Sequence, residues 1–424
     1  MGSSYLCLSL LLVLVITVSE LVINGDSKTH KGDIKVLKEL KKGIDPSTIT
    51  PGSCVSSWDF SVDPCDHIFS EHFTCGFRCD VVVSKLSRVT EISLDRAGYT
   101  GSLSSTSWNL HYLQTLDLSE NYFNGIIPKS LSKLKNLRKL ALSRNSLYGE
   151  IPSSIGSLSK LEELYLDSNH LQGSIPSSFN GLMSLQRLEL QENNLTGEFP
   201  NNLGSLKNLL FLDTSDNAIS GQFPSSLPVS LVEISMRNNY LHGNLPENFG
   251  DMVFLQVMDL SQNQLSGAIP WSLFNHPSLQ QLTLSHNKLT FLEMPINMGI
   301  QSELIALDLS NNEFQGLLPS FMAMMPKLSA LSLENNMFTG MIPSQYALKT
   351  VFPVMGTSPF SRLLLGGNYF FGPIPAPLMG LKPGSANVSL VDNCLYRCPT
   401  SFFFCQGRVQ KSVMACKRFG SVIP

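Results

Sequence analysis

The chain has 424 residues, with 30 Lys and Arg against 33 Asp and Glu, a formal net charge of −3. That near balance argues against a nucleic-acid binder, which presents a basic surface. Hydrophobic residues make up 43% and charged residues 15%, too apolar a mixture for a disordered chain.

Residues 1–25 read as a secretory signal: Leu6 to Val18 is an apolar run of h-region length, too short to span a membrane. Cleavage is expected near Gly25–Asp26, although no Lys or Arg precedes the run. A myristoylation reading of Met1-Gly2 fails because Leu6 stands where Ser or Thr is required. No second apolar run of membrane length follows, which predicts an exported chain with no direct membrane span and no lipid anchor. Once Cys7 departs with the signal, Cys54, Cys65, Cys75 and Cys79 precede the middle of the chain, and Cys394, Cys398, Cys405 and Cys416 follow it. An even set gathered at two ends predicts disulfide-stapled caps in an oxidising compartment. A zinc site at Cys65, His67, His72, Cys75 and Cys79 is the alternative.

Asp33 to Lys42 has the spacing of a short amphipathic helix, with Ile34, Leu37, Leu40 and Ile44 inward and Lys35, Lys38, Lys41 and Lys42 outward. Asp45-Pro46 and Thr50-Pro51-Gly52 then break the chain before the first cysteine cluster.

A repeated frame follows. Leu113, Leu116, Leu118, Asn121, Phe123, Gly125, Ile127 and Pro128 recur as Leu137 to Pro152 and as Leu161 to Pro176. The period of about 24 residues is that of a stacked repeat. Leu-x-Leu places apolar side chains on one face of a short strand. The Asn supplies donors and an acceptor for backbone groups that a tight turn leaves unpaired. One such coil cannot bury its own apolar edge, so coils must stack. A degenerate coil at Val89, Ile92, Leu94 and Gly101 comes first, and later coils begin at Leu185, Leu209, Leu231, Leu255, Leu279, Leu304, Leu328 and Phe360. Their turn asparagines are Asn193, Asn217, Asn239, Asn263, Asn287, Asn312, Asn336 and Asn368. That makes about twelve frames across residues 88–385, between an N-terminal cap at 26–87 and a C-terminal cysteine cap with a basic tail at 386–424.

Three coils depart from the frame. The one from Leu209 is shortened at Ser226-Leu227-Pro228, and the one from Leu279 has Thr290-Phe291-Leu292-Glu293-Met294-Pro295 in place of Gly-x-Ile-Pro. An irregular insertion, read as a structural kink, occupies 347–358. Near the end, Phe402, Phe403 and Phe404 are expected to pack under the terminal cap, and Arg408, Lys411, Lys417 and Arg418 to face solvent.

Ser57-Trp58, Asp63-Pro64-Cys65 and Cys75-Gly76-Phe77-Arg78-Cys79-Asp80, followed by Leu-x-Gly-x-Ile-Pro coils, resemble plant extracellular leucine-rich-repeat proteins. These comprise receptor-like proteins, receptor-kinase ectodomains and polygalacturonase-inhibiting proteins. The resemblance covers residues 33–416, with Phe73 and the extra Cys75 where that cap has a second Trp. It implies an α/β solenoid: a plant-type right-handed superhelix with a parallel concave β-sheet, irregular or 3-10 segments outside, and disulfide-stapled caps. The family pairing implies Cys65 with Cys79, which leaves Cys54 with Cys75.

Side chains flanking the strand leucines point away from the core, and those at one offset form columns across neighbouring strands. Glu162, Glu163, Tyr165, Asp167, Arg187, Glu189, Glu192, Phe211, Asp213, Asp216, Glu233 and Arg237 make an acidic patch with two aromatics, flanked by blander Ser, Gln and Thr. One reading is a binding surface for a basic peptide or protein, on aromatic anchors. The other is a merely soluble face, which accounts for the acids but not for Phe211 in water. Glu189 and Asp213 share a column at a spacing that suits a glycosidase pair, but such a pair needs a pocket that raises one pKa, and an open wet sheet is expected to supply none. Gly-x-Ser-x-Gly, Walker, kinase and His-Glu-x-x-His motifs are all missing from the sequence. Asn194-Leu195-Thr196 and Asn387-Val388-Ser389 are glycosylation sequons, and Asn194 should face outward.

The resemblance implies a non-catalytic recognition protein, without cofactor or metal, in the extracellular space or cell wall. Its expected partner is a peptide or protein ligand, with a membrane receptor kinase through which it associates with the plasma membrane. A secreted inhibitor of cell-wall hydrolases is the rival reading, and a structural wall component is the third.

Overall fold

In the computed structural model, which describes residues 28–417 apart from 248 and 296, the first leucine of Leu-x-Leu becomes the buried centre of a three-residue strand, as Leu164, Leu188 and Leu212 do. The expected signal segment at 1–25 and Arg418 of the basic tail lie outside the described residues. The chain divides into two compact units at Ser146–Leu147, and both are coil stacks of the expected solenoid class.

In the first unit, Glu91–Ser93, Thr115–Asp117 and Lys139–Ala141 pair in parallel. Phe77–Arg78 runs antiparallel to the first of them, and this reversed strand covers an edge that otherwise offers unpaired backbone groups. Helix Lys31–Gly43 packs Val36, Leu37, Leu40 and the following Ile44 inward, while Ile34 is only half-buried. The unexpected buried member is Asp33. Its carboxylate accepts from Arg88 Nε at 2.9 Å, Arg88 Nη2 at 2.8 Å and Val89 N at 3.0 Å, so the buried charge is fully partnered. Lys41, expected outward, instead donates to Trp58 O at 2.6 Å, and burial lowers its pKa. Trp58 is itself buried and donates through Nε1 to Cys75 O at 2.9 Å. Phe73 is fully buried edge-on to Phe77, filling the place of the missing Trp. Cys54 pairs with Cys75 and Cys65 with Cys79. Those sulfurs are consumed by disulfides, which takes three of the five ligands from the zinc alternative, because a disulfide sulfur is no thiolate.

In the second unit, ladder strands run in chain order from Glu163–Tyr165 to Asn387–Ser389. Asn193 shows how coils are joined. Its Oδ1 accepts from Leu171 N at 2.9 Å, and its Nδ2 donates to Leu166 O of the preceding coil at 3.0 Å and to Leu190 O of its own at 3.1 Å. Asn217, Asn239, Asn263, Asn287, Asn312, Asn336 and Asn368 repeat this pattern, and all of these but the half-buried Asn217 are buried. The ladder extends one step beyond the last frame read from sequence. Asn387–Ser389 pairs with Arg362–Leu364, and Asn393 accepts from Phe370 N and donates to Leu365 O.

A second parallel sheet follows the asparagines, where sequence reading expected irregular structure. It includes His170–Gly173, Asn194–Glu198, Ala218–Gln222, Tyr240–Gly243, Gln264–Ile269 and Lys288–Leu292. The glycine four residues past each Asn sits at positive φ, 76° at Gly173 and 90° at Gly221, a conformation open to a residue without Cβ. Phe291 holds that place in the irregular coil, and the pairing there slips register between Gly267 and Ala268. The expected 3-10 segments come next, as at Ser177–Gly181 and Asn201–Ser205.

The insertion at 347–358 is not irregular throughout. Its first residues complete helix Ser344–Val351, anchored by the fully buried Tyr346, whose hydroxyl donates to Pro319 O at 2.5 Å. Lys349 is buried on the same helix, donating to Met325 O above the Phe360 ring. Phe352, Val354 and Met355 are exposed beyond it. At the end of the unit, Cys394 pairs with Cys416 and Cys398 with Cys405. Of the three expected phenylalanines, only Phe404 is fully packed, and its carbonyl accepts from Leu390 N at 2.8 Å.

Candidate functional site

The ladder strands hold Glu163, Arg187, Phe211 and Glu233 in one register column and Tyr165, Glu189, Asp213 and Ser235 in the next. The candidate residues on these strands therefore stand side by side on one face. Their states differ from the sequence picture. Arg187 bridges two strands: Nη1 contacts Glu189 Oε1 at 2.8 Å while its guanidinium lies 3.9 Å from the Phe211 ring centre. Phe211 is thus half-buried under a cation rather than open to water. Tyr165 donates to Glu163 Oε2 at 3.1 Å. Burial, reinforced by the Glu163 charge, pushes its pKa up to about 12, so it remains a neutral donor.

Asp167 is buried, not on the exposed face. Arg237 is exposed and is drawn to Asp216 at 2.6 Å, and Glu233 is exposed on its strand. Two of the patch's acids, Glu189 and Asp216, are thereby paired with arginines in place. Glu162, Glu163, Asp167, Glu192, Asp213 and Glu233 make up the rest of its acids, Glu192 accepting from the Ser168 hydroxyl at 2.8 Å. Asp213 corrects a further expectation. Burial raises its pKa and the Glu189 charge adds to this, against the opposing bonds from Ser215, so this sheet does perturb a carboxylate.

Sequence reading missed the other end of the face. Ala306 and Ala330 follow each other in the first column, and their small side chains leave a depression of about 170 Å3 bounded by Gln281 and Arg362, with Thr283, Asp308 and Ser332 along it. Two successive alanines at one offset were the available signal. Beyond Arg362 the column ends in exposed Asn387, so this sequon lies on the ladder face itself. Asn194 lies on the second sheet, exposed as expected. Burial also raises the pKa of Glu334, near Ser389. Among the described residues, no cluster of three or more His, Cys, Asp or Glu has a metal-holding arrangement, and no helix is long and apolar enough to cross a membrane.

The coils are similar to those of known proteins. A family model described as a leucine-rich repeat region matches residues 84–363. A probable leucine-rich repeat receptor-like serine/threonine-protein kinase of Arabidopsis thaliana is 42% identical over 82 residues, covering 17% of this chain and 8% of that protein. The plant peptide hormone receptor RGFR1, solved in complex with RGF2, superposes with a TM-score of 0.63 at 32% identity, covering 70% of this chain and 46% of that one. The ectodomain of the Arabidopsis receptor kinase HAESA, solved with an N-terminally extended IDA peptide hormone, superposes with a TM-score of 0.64 at 32% identity, covering 86% and 61%. The chain spans less than two thirds of the length of each of these relatives.

Proposed function

This chain belongs to the leucine-rich repeat family, and from that premise we propose that it is a non-catalytic extracellular recognition protein that binds an extended peptide across its ladder face. The carrying observation is the Arg187–Phe211 stack beside Tyr165, Asp213 and Glu233. A flat cation–aromatic platform held by Glu189 is a preorganised anchor, and the neighbouring carboxylates favour a ligand with basic groups. The depression over Ala306 and Ala330 accepts a side chain of the same ligand further along. The peptide complexes of the relatives support a ligand of this class. This reading gives the chain a receptor-like or co-receptor role at the cell surface or wall, with a receptor kinase as its partner, a class to which its curated relative belongs.

The test is binding of the glycosylated protein to an array of synthetic extended peptides, basic and neutral, with affinities measured in solution for the best binders. Basic peptides should lead, and Phe211→Ala should weaken them at least tenfold, with Tyr165→Ala and Arg187→Ala acting in the same direction. Peptides indifferent to all three changes would overturn the proposal. So would failure to bind any peptide together with tight inhibition of a pectin-degrading hydrolase.

A further inference from the structure

Outside the ladder face, the second sheet is hollowed around Asn194. Strand Asn194–Glu198 exposes Asn194 and Thr196 and buries Leu195, so the sequon amide and hydroxyl share one outward side. In the next two coils the frame position of Asn194 is held by Ala218 and Tyr240. The pairing sets Thr196 beside Ala218 and Ser220 beside Tyr240, so between the sequon and the Tyr240 ring the sheet carries the short Ala218 side chain. The result is a solvent-open depression of about 410 Å3, lined by Asn194, Thr196, Asp216, Ala218, Asn238 and Tyr240. Other coils of this unit carry His170, Gln264 or Lys288 at the same position, which are longer side chains.

The lining has two characters. The Tyr240 ring, 55% exposed, offers a flat apolar face with a polar tip. Opposite it, Asp216 is held by Arg237 Nη2 at 2.6 Å and Asn238 Nδ2 at 2.8 Å, one donor on each carboxylate oxygen. Each of those oxygens keeps acceptor capacity for another hydroxyl. A pyranose ring has this same duality, a C–H face and a hydroxyl edge. We propose that Asn194 carries an N-linked glycan whose first N-acetylglucosamine lies in this depression, over Ala218 and against Tyr240, as a built part of the fold.

The modification is an ordinary group transfer. The Asn194 amide nitrogen bonds to the anomeric carbon of an oligosaccharide carried on a lipid diphosphate. The anomeric C–O bond to phosphate breaks, the lipid diphosphate leaves with the electron pair, and the amide proton passes to a base of the host transferase. Seating the first sugar removes apolar ring surface from water and orders strand Asn194–Glu198 against its neighbour. The sugar seat is independent of what the ladder face binds.

The test uses the full chain secreted from a eukaryotic host, with occupancy of Asn194 read by peptide mass spectrometry. One portion is trimmed by an endoglycosidase that leaves a single N-acetylglucosamine. Asn194→Asp supplies the sugar-free protein with the side chain that complete enzymatic removal produces. The one-sugar form should match the intact glycoprotein in melting temperature, and Asn194→Asp should melt about 2 °C lower. In a Tyr240→Ala background that gap should close, and Ala218→Lys, which fills the seat, should close it too. An unoccupied Asn194 overturns the proposal, as does a one-sugar form that melts with Asn194→Asp, or a gap that persists in both variants.

Discussion

Gln410 stands to Leu395 as Asn193 stands to Leu171. Its Oε1 accepts from Leu395 N at 3.2 Å, and its Nε2 donates to Leu390 O at 3.1 Å. These are the bonds that the asparagine of one further coil would make. The longer side chain of Gln410, arriving from the terminal cap, ends the ladder by imitating its next rung. Gln410→Ala should cost about 1–2 kcal/mol, because it takes the shared acceptor from two backbone donors, Leu395 N and Asn393 N. Hydrogen exchange at Leu395 and Asn393 should quicken while coils before Arg362 keep their protection. Unchanged exchange at Leu395 would dismiss the imitation.

The interior rungs should be dearer. Asn263 is buried, and its amide joins Leu241, Met236, Leu260 and Ser261. Asn263→Ala leaves the buried Leu241 N without its acceptor and takes one donor from each of three carbonyls, and about 3 kcal/mol should be lost. Asn217→Ala removes the same kinds of bond where water has access, and it should cost less. Urea titration of both variants gives the ordering, and equal losses would contradict it.

His276 is buried where other coils place Leu or Met, such as Leu182, Leu206 and Met252. Its Nε2 contacts Phe249 O at 3.2 Å and its Nδ1 accepts from Leu279 N at 3.1 Å, an arrangement of the neutral ring. Burial lowers its pKa. With the folded pKa below the unfolded value of about 6.5, the unfolded chain takes up the proton first, so stability falls as pH drops through that value. His276→Leu should flatten the decline in melting temperature between about pH 6.5 and 5. An identical decline in the variant would assign it to other groups.

Lys349 works at the other end of the scale. Burial pushes its pKa down to about 8, while the unfolded chain holds the proton up to about 10.4. Across that window the unfolded state binds more protons, so Lys349 makes stability rise with pH. Lys349→Met should stabilise the protein by about 2 kcal/mol at pH 7, the relief of the buried charge outweighing the lost bond to Met325. The rise above pH 8 should also disappear from denaturant midpoints. A destabilised variant would mean that the bond outweighs the charge.

The sequence announced its ladder because two constraints repeat together: a leucine pair that must be buried and an asparagine whose amide must be used. It was silent where partners are remote or where a residue type misleads. Asp33 and Arg88 are 55 residues apart. Phe211 looked misplaced only because the Arg187 guanidinium above it cannot be read from one strand. The second sheet was hidden because Gly-x-Ile-Pro reads as punctuation, and residues such as Glu192 and His286 sit at positive φ without being Gly or Asn. Asn387-Val388-Ser389 was legible as a sequon, and for that reason its role as a ladder strand was overlooked. The candidate patch was legible as a set of columns, but not its internal pairing, which depends on side-chain reach.

Phe338 N reaches Asn368 Oδ1 across 30 residues, where the corresponding bond elsewhere spans 20 to 23. The extra length is taken up by helix Ser344–Val351 and the exposed stretch after it, and the rung itself is unaltered. Alignment of the coils is therefore decided by the short strands and their amides, independently of how much chain passes between them. A foreign segment grafted between Phe352 and Thr357 should be displayed without disturbing the coils on either side, which makes this loop a natural point for tagging or diversification.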